Sequence, residues 1–557
     1  MSENIKIFCV NNQKEIEVEK GSSVLEIFNK SGIELNSRVM GALVNNRTQS
    51  LNFRVYKPKD IEFFDYSSPH GERVYIHTLS LILYKAVTDI IPNVKLDIEH
   101  SISKGIFCRL SEECGENTLT RINERMREIT EKDIAIERFE EPTKEVIEKF
   151  RNAEMDDKVK LLSYISEPYT VYYKLDNVID AFPYELAPST GYITTFSFVK
   201  YSYGYLLVPP SKENPNELNK ISRQDKLLAA FEEQYRFNNI AQLSNIGDLN
   251  EAITNGHAPV LIKVMEALHE KQIAKIADDI AQRFKLNGSS RVVLIAGPSS
   301  SGKTTFSKRL SVQLLTNLLV PVAISLDDYF VDRQNTPRDE SGDYDYESIY
   351  ALDLEAFNKD LNDLLDGKEV EIPTYNFETG TRNYTGKKLK LSPQSILILE
   401  GIHALNPQLT SHIEERMKFK IYVSALTSIS IDDHNRIPTT DNRLLRRIIR
   451  DAKYRGTSAQ STIARWPSVR RGEEKWIFPF QENADVIFNS STLYELPVLK
   501  KHIFPLLLAV QPEDEYYDEV RAIVKVLNFI YTADVDDEIP PTSLVREFIG
   551  GNSFYRD

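Results

Sequence analysis

The sequence predicts an α/β protein, with a doubly wound parallel sheet in its C-terminal half preceded by two smaller α+β domains. Three observations carry this. Residues 291–305 read RVVLIAGPSSSGKTT, a β-branched apolar run passing directly into glycine and serine and then into an amphipathic stretch. Four further apolar runs, 320–330, 395–401, 419–425 and 484–489, are mostly separated by helical text such as 353–368, the pattern of parallel strands joined by crossover helices. The first 66 residues instead carry short strands and polar turns around one short helix.

At 557 residues the chain has room for about three or four domains. Its net charge of −14, from 68 basic and 82 acidic residues, argues against a general nucleic-acid or acidic-membrane binder, while leaving room for a local basic patch. The N-terminus has no basic segment followed by an apolar core, and no apolar run approaches 18 residues. The expectation is a soluble cytoplasmic protein that does not enter a membrane. Cys9, Cys108 and Cys114 lack C-x-x-C spacing and read as reduced thiols. Nothing in the sequence decides the oligomeric state.

Residues 1–66 predict a ubiquitin-like β-grasp module. Strands at 5–10 and 15–18 pair across a polar turn, Gly21, Ser22 and Ser23 cap a helix over 24–31 that Gly32 ends, and strands at 40–44 and 61–64 follow. GSSVLEIFNKSG and KDIEFFD resemble the TGS domain found at the start of threonyl-tRNA synthetases.

Residues 67–210 form the second domain, opened by an amphipathic helix over 72–90 with apolar positions Val74, Leu79, Ile82, Leu83 and Val87. INERMREITEKDIAIERFEEPTKEVIEKF and APSTGYITTFSF follow, and in order and spacing resemble the second additional domain of threonyl-tRNA synthetases, an editing domain. The resemblance implies an H-x-x-x-H pair on the helix and a Cys/His pair before the closing strand. Here His77 holds the first position, but Leu81 holds the second, and Phe182 and Leu186 hold the other two. One histidine cannot supply the three or four ligands of a zinc site. The domain therefore reads as a scaffold without its chemistry, free to contact a nucleotide, an RNA or tRNA end, or its neighbour. Residues 211–288, after the boundary loop at Ser211, Asn214, Pro215 and Asn216, read as a helical connector docked on the next domain. His257 and His269 within it lack nearby ligand partners.

Residues 289–511 hold the chemistry. G-x-x-x-x-G-K-T between a strand and a helix is a P-loop. Gly297 and Gly302 let the loop curl, so that the amides of Ser299, Ser300, Ser301, Gly302, Lys303, Thr304 and Thr305 can cradle phosphate, with Lys303 reaching the β- and γ-phosphates and the Thr304 hydroxyl ligating Mg²⁺. ATP and Mg²⁺ are the expected cofactors. Strand 320–325 runs into Leu326, Asp327, Asp328 and Tyr329. Asp327 is suited to accept a proton from an attacking hydroxyl or to assist the metal, and Asp328, one residue on along an extended strand end, points elsewhere. Strand 395–400 ends in Glu400, which acts on Mg²⁺ directly or through water. DNRLLRRIIRDAKYRG puts Arg443, Arg446, Arg447, Arg450 and Arg455 on one helix and its exit, a candidate lid over the transferred phosphate.

Residues 292–489 resemble uridine kinases and their relatives in the phosphoribulokinase/uridine kinase family. GPSSSGKTT, ISLDDYF, DYDYESIYALD, IPTYNFETGTR, LILEGIHAL, RRIIRD and ADVIFN occur in that order. The resemblance implies that Asp327 is the general base, that Asp345 binds ribose hydroxyls, that Tyr375 and Phe377 line the acceptor pocket, and that Arg447 and Arg450 belong to the lid. It also exposes departures. Gly380 stands where uridine kinases carry a base-reading histidine, Thr457 replaces a lid-exit arginine, and Arg465 replaces a pocket glutamine. Without groups that hydrogen-bond the base, strong base discrimination is not expected. RWPSVRRGEEKW, with Arg465, Arg470, Arg471 and Lys475, suits an acceptor that already carries phosphate. Residues 512–557 read as a helical appendage with no visible chemistry.

The reading is an ATP-dependent, Mg²⁺-requiring kinase of a nucleoside or sugar hydroxyl, behind two domains of threonyl-tRNA synthetase type. Two alternatives stay open: a kinase of a pentose or sugar phosphate, and a regulatory P-loop NTPase whose N-terminal half binds RNA. No N-K-x-D tetrapeptide for guanine occurs.

Overall fold

A computed structural model describes residues 3–287, 291–339 and 342–554. Its C-terminal sheet runs in the order Val320–Ser325, Ser395–Glu400, Val292–Ala296, Lys418–Ser424, Val486–Asn489, and every pairing is parallel. Strands Val292–Ala296 and Ser395–Glu400 are buried along their whole length, as β-branched runs covered on both faces should be. On one face Val293, Ile295 and Ile398 pack against Phe306, Leu310 and Leu314 of helix Lys303–Thr316 and against Ile276 and Ile280 of helix Ala258–Asn287. On the other, Leu294, Leu397 and Leu399 meet Tyr329, Phe357 and Leu361. The register sets Glu400 beside both Ile295 and Ser325. The carboxyl ends of three strands thus open on one edge, where ligands of such sheets bind.

A hairpin, Val370–Asn376 with Thr381–Leu389, stands outside this sheet. Its second strand is largely exposed and polar, so apolar alternation does not announce it. Its turn is built by Asn376, whose side-chain oxygen accepts the amides of Glu378 and Thr379.

At the N-terminus a mixed sheet runs in the order Lys14–Glu19, Asn4–Cys9, Lys59–Asp65, Val39–Val44, Thr48–Gln49. Helix Val24–Ser31 is held by a capping box between Ser23 and Glu26 and ends at Gly32 in the left-handed conformation. Helix Pro69–Ile90 follows, with one sheet of Ser197–Tyr201, Gly204–Val208, Gly105–Leu110 and Leu96–Ile102 and another of Glu137–Pro142, Tyr169–Leu175 and Val178–Asp180. Ile7 and Phe63 of the first module share one core with Leu79, Leu83 and Phe198 of the second.

The halves are locked by buried charge. Lys158 pairs with Asp180 at 2.7 Å and with Asp432 at 2.8 Å, and Asp180 also pairs with His434 at 2.7 Å. Asp432 ends strand Ser430–Asp432 and His434 lies in the turn before Asn435–Arg436, a small hairpin between Lys418–Ser424 and helix Thr439–Arg455. The helices of 225–287 bridge to the same body. Glu266 and Glu270 bind Arg309 of the P-loop helix at 3.2 and 2.7 Å, and His269, buried here, packs on Phe488. No helix of the described residues is long and apolar enough to cross a membrane.

Candidate active site

The P-loop curls where glycine alone fits. A Cβ on Gly297 would lie 2.0 Å from the carbonyl of Val423, and Gly302 adopts φ +82°. Lys303 folds back and donates to the Pro298 carbonyl at 3.2 Å. The Thr304 hydroxyl lies 3.4 Å from a Glu400 carboxylate oxygen.

Asp327 sits on a 3-10 turn, Leu326–Tyr329, whose start is capped by Ser325. The strand has therefore already ended, and the alternation expected of Asp327 and Asp328 does not apply. The turn nonetheless separates them: Asp328 accepts the amide of Tyr375 at 3.3 Å, while Asp327 faces Lys303, Arg455 and Arg450. Burial raises the Asp327 carboxyl above its ordinary value, and those three cations pull it back. Glu400 is pushed up to about 7 by burial, with Lys303 opposing and Asp327 and Glu547 adding to the rise.

The arginine helix, Thr439–Arg455, divides into two sets, which corrects the reading of five arginines as one lid. Arg443 and Arg446 are buried at 1% and 0% exposure. Arg443 is clamped by Glu473 and donates to the Ser299 carbonyl at 3.0 Å. Arg446 is clamped by Glu495 and reaches the Ser300 carbonyl at 3.4 Å. Both grip the back of the P-loop and are neutralised there. Arg447, Arg450 and Arg455 gather around Asp451, at 3.4, 2.9 and 3.4 Å, and Arg447 also donates to the Ser299 hydroxyl at 3.0 Å.

Tyr375 and Phe377 join Phe330 in an aromatic group, with centroids 5.5 Å apart for Phe330 and Tyr375 and 5.1 Å for Tyr375 and Phe377. The Arg455 guanidinium lies 5.9 Å from the Phe377 ring, so this group and the arginine helix face each other beside Asp327. Asp345 lies in the turn that also carries Glu347. Burial raises its carboxyl, opposed by the Glu347 amide and Lys475. Arg465 is exposed on helix Ala459–Trp476, and no contact among the described residues joins it to the P-loop. Arg470 is paired with Glu473 and Glu474 at 3.1 Å each, and Arg471 with Asp339 at 3.3 Å. Arg470 and Arg471 of the expected phosphate-binding patch are thus ion-paired, Arg471 while 56% exposed.

Sequence reasoning missed two acids and one amide. Glu347, inside DYDYESIY, is pushed up to about 7 by burial and Glu473, with Arg447, Lys303 and Arg443 opposing. Its signal in the sequence is its place within DYDYESIY. Glu547 accepts the amide and hydroxyl of Thr305, at 3.2 and 2.7 Å, and Asn552 donates to that hydroxyl at 3.2 Å. Residues 543–552 are thus part of the P-loop's surroundings, a correction to the appendage expected of 512–557. In the second domain, Leu81, Phe182 and Leu186 are core residues. His77 packs on Phe182 and Tyr184 and is lowered to about 4 by burial.

The model of the phosphoribulokinase / uridine kinase family matches residues 292–496. Over 200 residues the chain is 32% identical to a uridine kinase of Staphylococcus aureus, a match covering 36% of this chain and 87% of that one. The chain belongs to the phosphoribulokinase/uridine kinase family. Its N-terminal region is also 33% identical over 190 residues to a threonine–tRNA ligase of Clostridium kluyveri, covering 34% of this chain but only 30% of that relative. A solved structure, a possible uridine kinase from Bacillus stearothermophilus, is 19% identical and covers 39% of this chain and 100% of its own, with a TM-score of 0.27. Within the kinase domain, Gly380 adopts φ +70° and a Cβ there would lie 2.7 Å from Arg333. A side chain at this position would be strained and would press on Arg333.

Proposed function

We propose that this chain is an ATP-dependent kinase that phosphorylates a hydroxyl group of a nucleoside or a related sugar. The observation that carries the reading is the curled P-loop with the Thr304 hydroxyl 3.4 Å from Glu400, on the same edge as the turn that bears buried Asp327, whose charge Lys303, Arg455 and Arg450 favour, and as the aromatic group of Phe330, Tyr375 and Phe377. A base, a phosphate holder and a cluster of cations on one edge are what phosphoryl transfer to an alcohol requires. The P-loop amides and Lys303 hold the triphosphate, and Asp327 orients the acceptor hydroxyl and takes its proton. Arg447 and Arg450, released from Asp451, meet charge on the transferred phosphoryl group. Tyr375 and Phe377 cover the acceptor's flat or apolar side, and Asp345 accepts from its sugar hydroxyls.

The donor set suits Mg²⁺. Buried Glu400, repelled by two neighbouring carboxylates, lies against the Thr304 hydroxyl, and Mg²⁺ is commonly held by one or two carboxylates together with substrate phosphates and water. When bound, it neutralises charge across the β- and γ-phosphates. The unpaired cysteines fit a reducing, cytoplasmic setting. The N-terminal half serves in this reading as a docked scaffold that retains no editing chemistry.

ADP release measured across nucleosides, pentoses and pentose phosphates tests the proposal. Strong stimulation by a nucleoside or free sugar is expected. Equal release with and without every acceptor would favour a nucleotide switch and overturn the kinase reading.

A further inference from the structure

Helix Lys303–Thr316 begins after Gly302 without a side-chain cap of its own, and its first helical bond is the Phe306 amide to the Gly302 carbonyl. The preceding amides, Lys303 to Thr305, are left for a ligand. Such amides at the positive end of a helix are the anion donors of a P-loop. One is already taken. A single Glu547 carboxylate oxygen accepts both the Thr305 amide and the Thr305 hydroxyl, and the Asn552 amide donates to the same hydroxyl. That hydroxyl thus has a consistent donor and acceptor role, and a phosphate oxygen would compete with the carboxylate for the amide.

The segment bearing Glu547 is firmly built in. Leu544, Val545, Phe548 and Ile549 are buried, the Ser543 hydroxyl donates to Glu266 at 2.7 Å, and Arg546 donates to the carbonyls of Asp536 and Ile539 at 2.6 and 2.8 Å. Releasing the whole segment would expose four apolar side chains to water. The Glu547 side chain is only half-buried and can turn away on its own.

We propose that Glu547 is a side-chain gate on the nucleotide site: its carboxylate holds the Thr305 donors in the empty enzyme and gives them up when a nucleotide phosphate arrives. This rests on the reading of the P-loop as the nucleotide site. Phosphate-bearing ligands then bind against two costs, the loss of a charge-assisted hydrogen bond and repulsion by a nearby carboxylate. A nucleoside without phosphate meets neither.

Calorimetric titration of the full chain with ADP, and separately with adenosine, tests the gate. Glu547→Gln keeps size and hydrogen-bonding reach but removes the charge, and should tighten ADP binding about tenfold while leaving adenosine binding as it was. ADP binding equal to or weaker than wild type, in a variant that melts like wild type, overturns the proposal. If Glu547→Gln does not fold, Glu547→Asp, which withdraws the carboxylate by one methylene, should give a smaller tightening, and no tightening overturns it equally. Lys303→Ala separates the two readings. Loss of ADP binding there with none gained in Glu547→Gln refutes the gate alone, whereas unchanged binding in both refutes the P-loop reading as well.

Discussion

Two regions of this molecule resemble catalytic sites, the P-loop edge of the kinase sheet and the neighbourhood of His77 in the second domain. They differ in what surrounds the titratable groups. At the P-loop edge, Asp327, Glu347 and Glu400 are held against burial in a field of cations, and the last two sit at about 7. Around His77, Leu81, Phe182 and Leu186 pack into an apolar core, and the imidazole is held neutral against two aromatic rings. Charge kept buried without full pairing costs folding free energy and marks a site awaiting a ligand. A neutral ring in an apolar core is packing.

The largest effect that would sharpen this contrast is expected at Lys303. Lys303→Ala removes a ligand-binding ammonium whose hydrogen bond is to the Pro298 carbonyl of its own loop, so turnover should fall below detection while the nucleotide-free protein melts close to wild type. Retained turnover would move the chemistry elsewhere.

Next in size is the response to pH. Burial pushes Glu400 up to about 7 and raises Asp327 above its ordinary value, so below about pH 7 the free enzyme increasingly carries a protonated Glu400. The value of kcat/KM should decline by up to about tenfold per pH unit below 7 and level off above it. A profile flat from pH 6 to 8 would remove these groups from the chemistry.

A smaller effect belongs to the seam between the N-terminal half and helix Tyr517–Asn528. Burial opposes charge on His70, but hydrogen bonds to Asp518 and Glu519 outweigh it and raise its pKa to about 9. Because the folded value lies above the ordinary 6.5, this stabilisation is full below 6.5 and lost as pH rises through 9. The melting temperature should fall by a few degrees over that window, and His70→Gln should flatten the slope. An identical slope in the variant would show that other groups control it.

The smallest is expected at His77. Elemental analysis should find no stoichiometric zinc, and mischarged threonine tRNA should not be deacylated. One zinc per chain, lost on His77→Ala, would erase the contrast between the two regions.

What was legible in the sequence was local. The run Val292–Ala296 into Gly297 and Lys303 carries its strand, loop and helix in contiguous residues, and the strand ends bearing Asp327 and Glu400 follow from the parallel alternation. What was not legible depends on tertiary pairing. Asp327 and Asp328 diverge because Ser325 caps a turn, not because a strand alternates. Arg443 and Arg446 are set apart from Arg447 by Glu473 and Glu495, which lie 30 and 49 residues away. Glu547 reaches Thr305 across 242 residues, and no local pattern could announce it.

In the proposed reaction Asp327 relieves an acceptor hydroxyl of its proton at the P-loop edge. The most direct measurement of this role is the acceptor-dependent kcat of Asp327→Asn beside that of Asp328→Asn. The first substitution keeps size and hydrogen bonding but removes basicity, and should cost roughly 10²- to 10⁴-fold with little change in ATP binding. The second, engaged with the Tyr375 amide, should cost far less. Equal and small losses in both, or the larger loss at Asp328, would contradict this role.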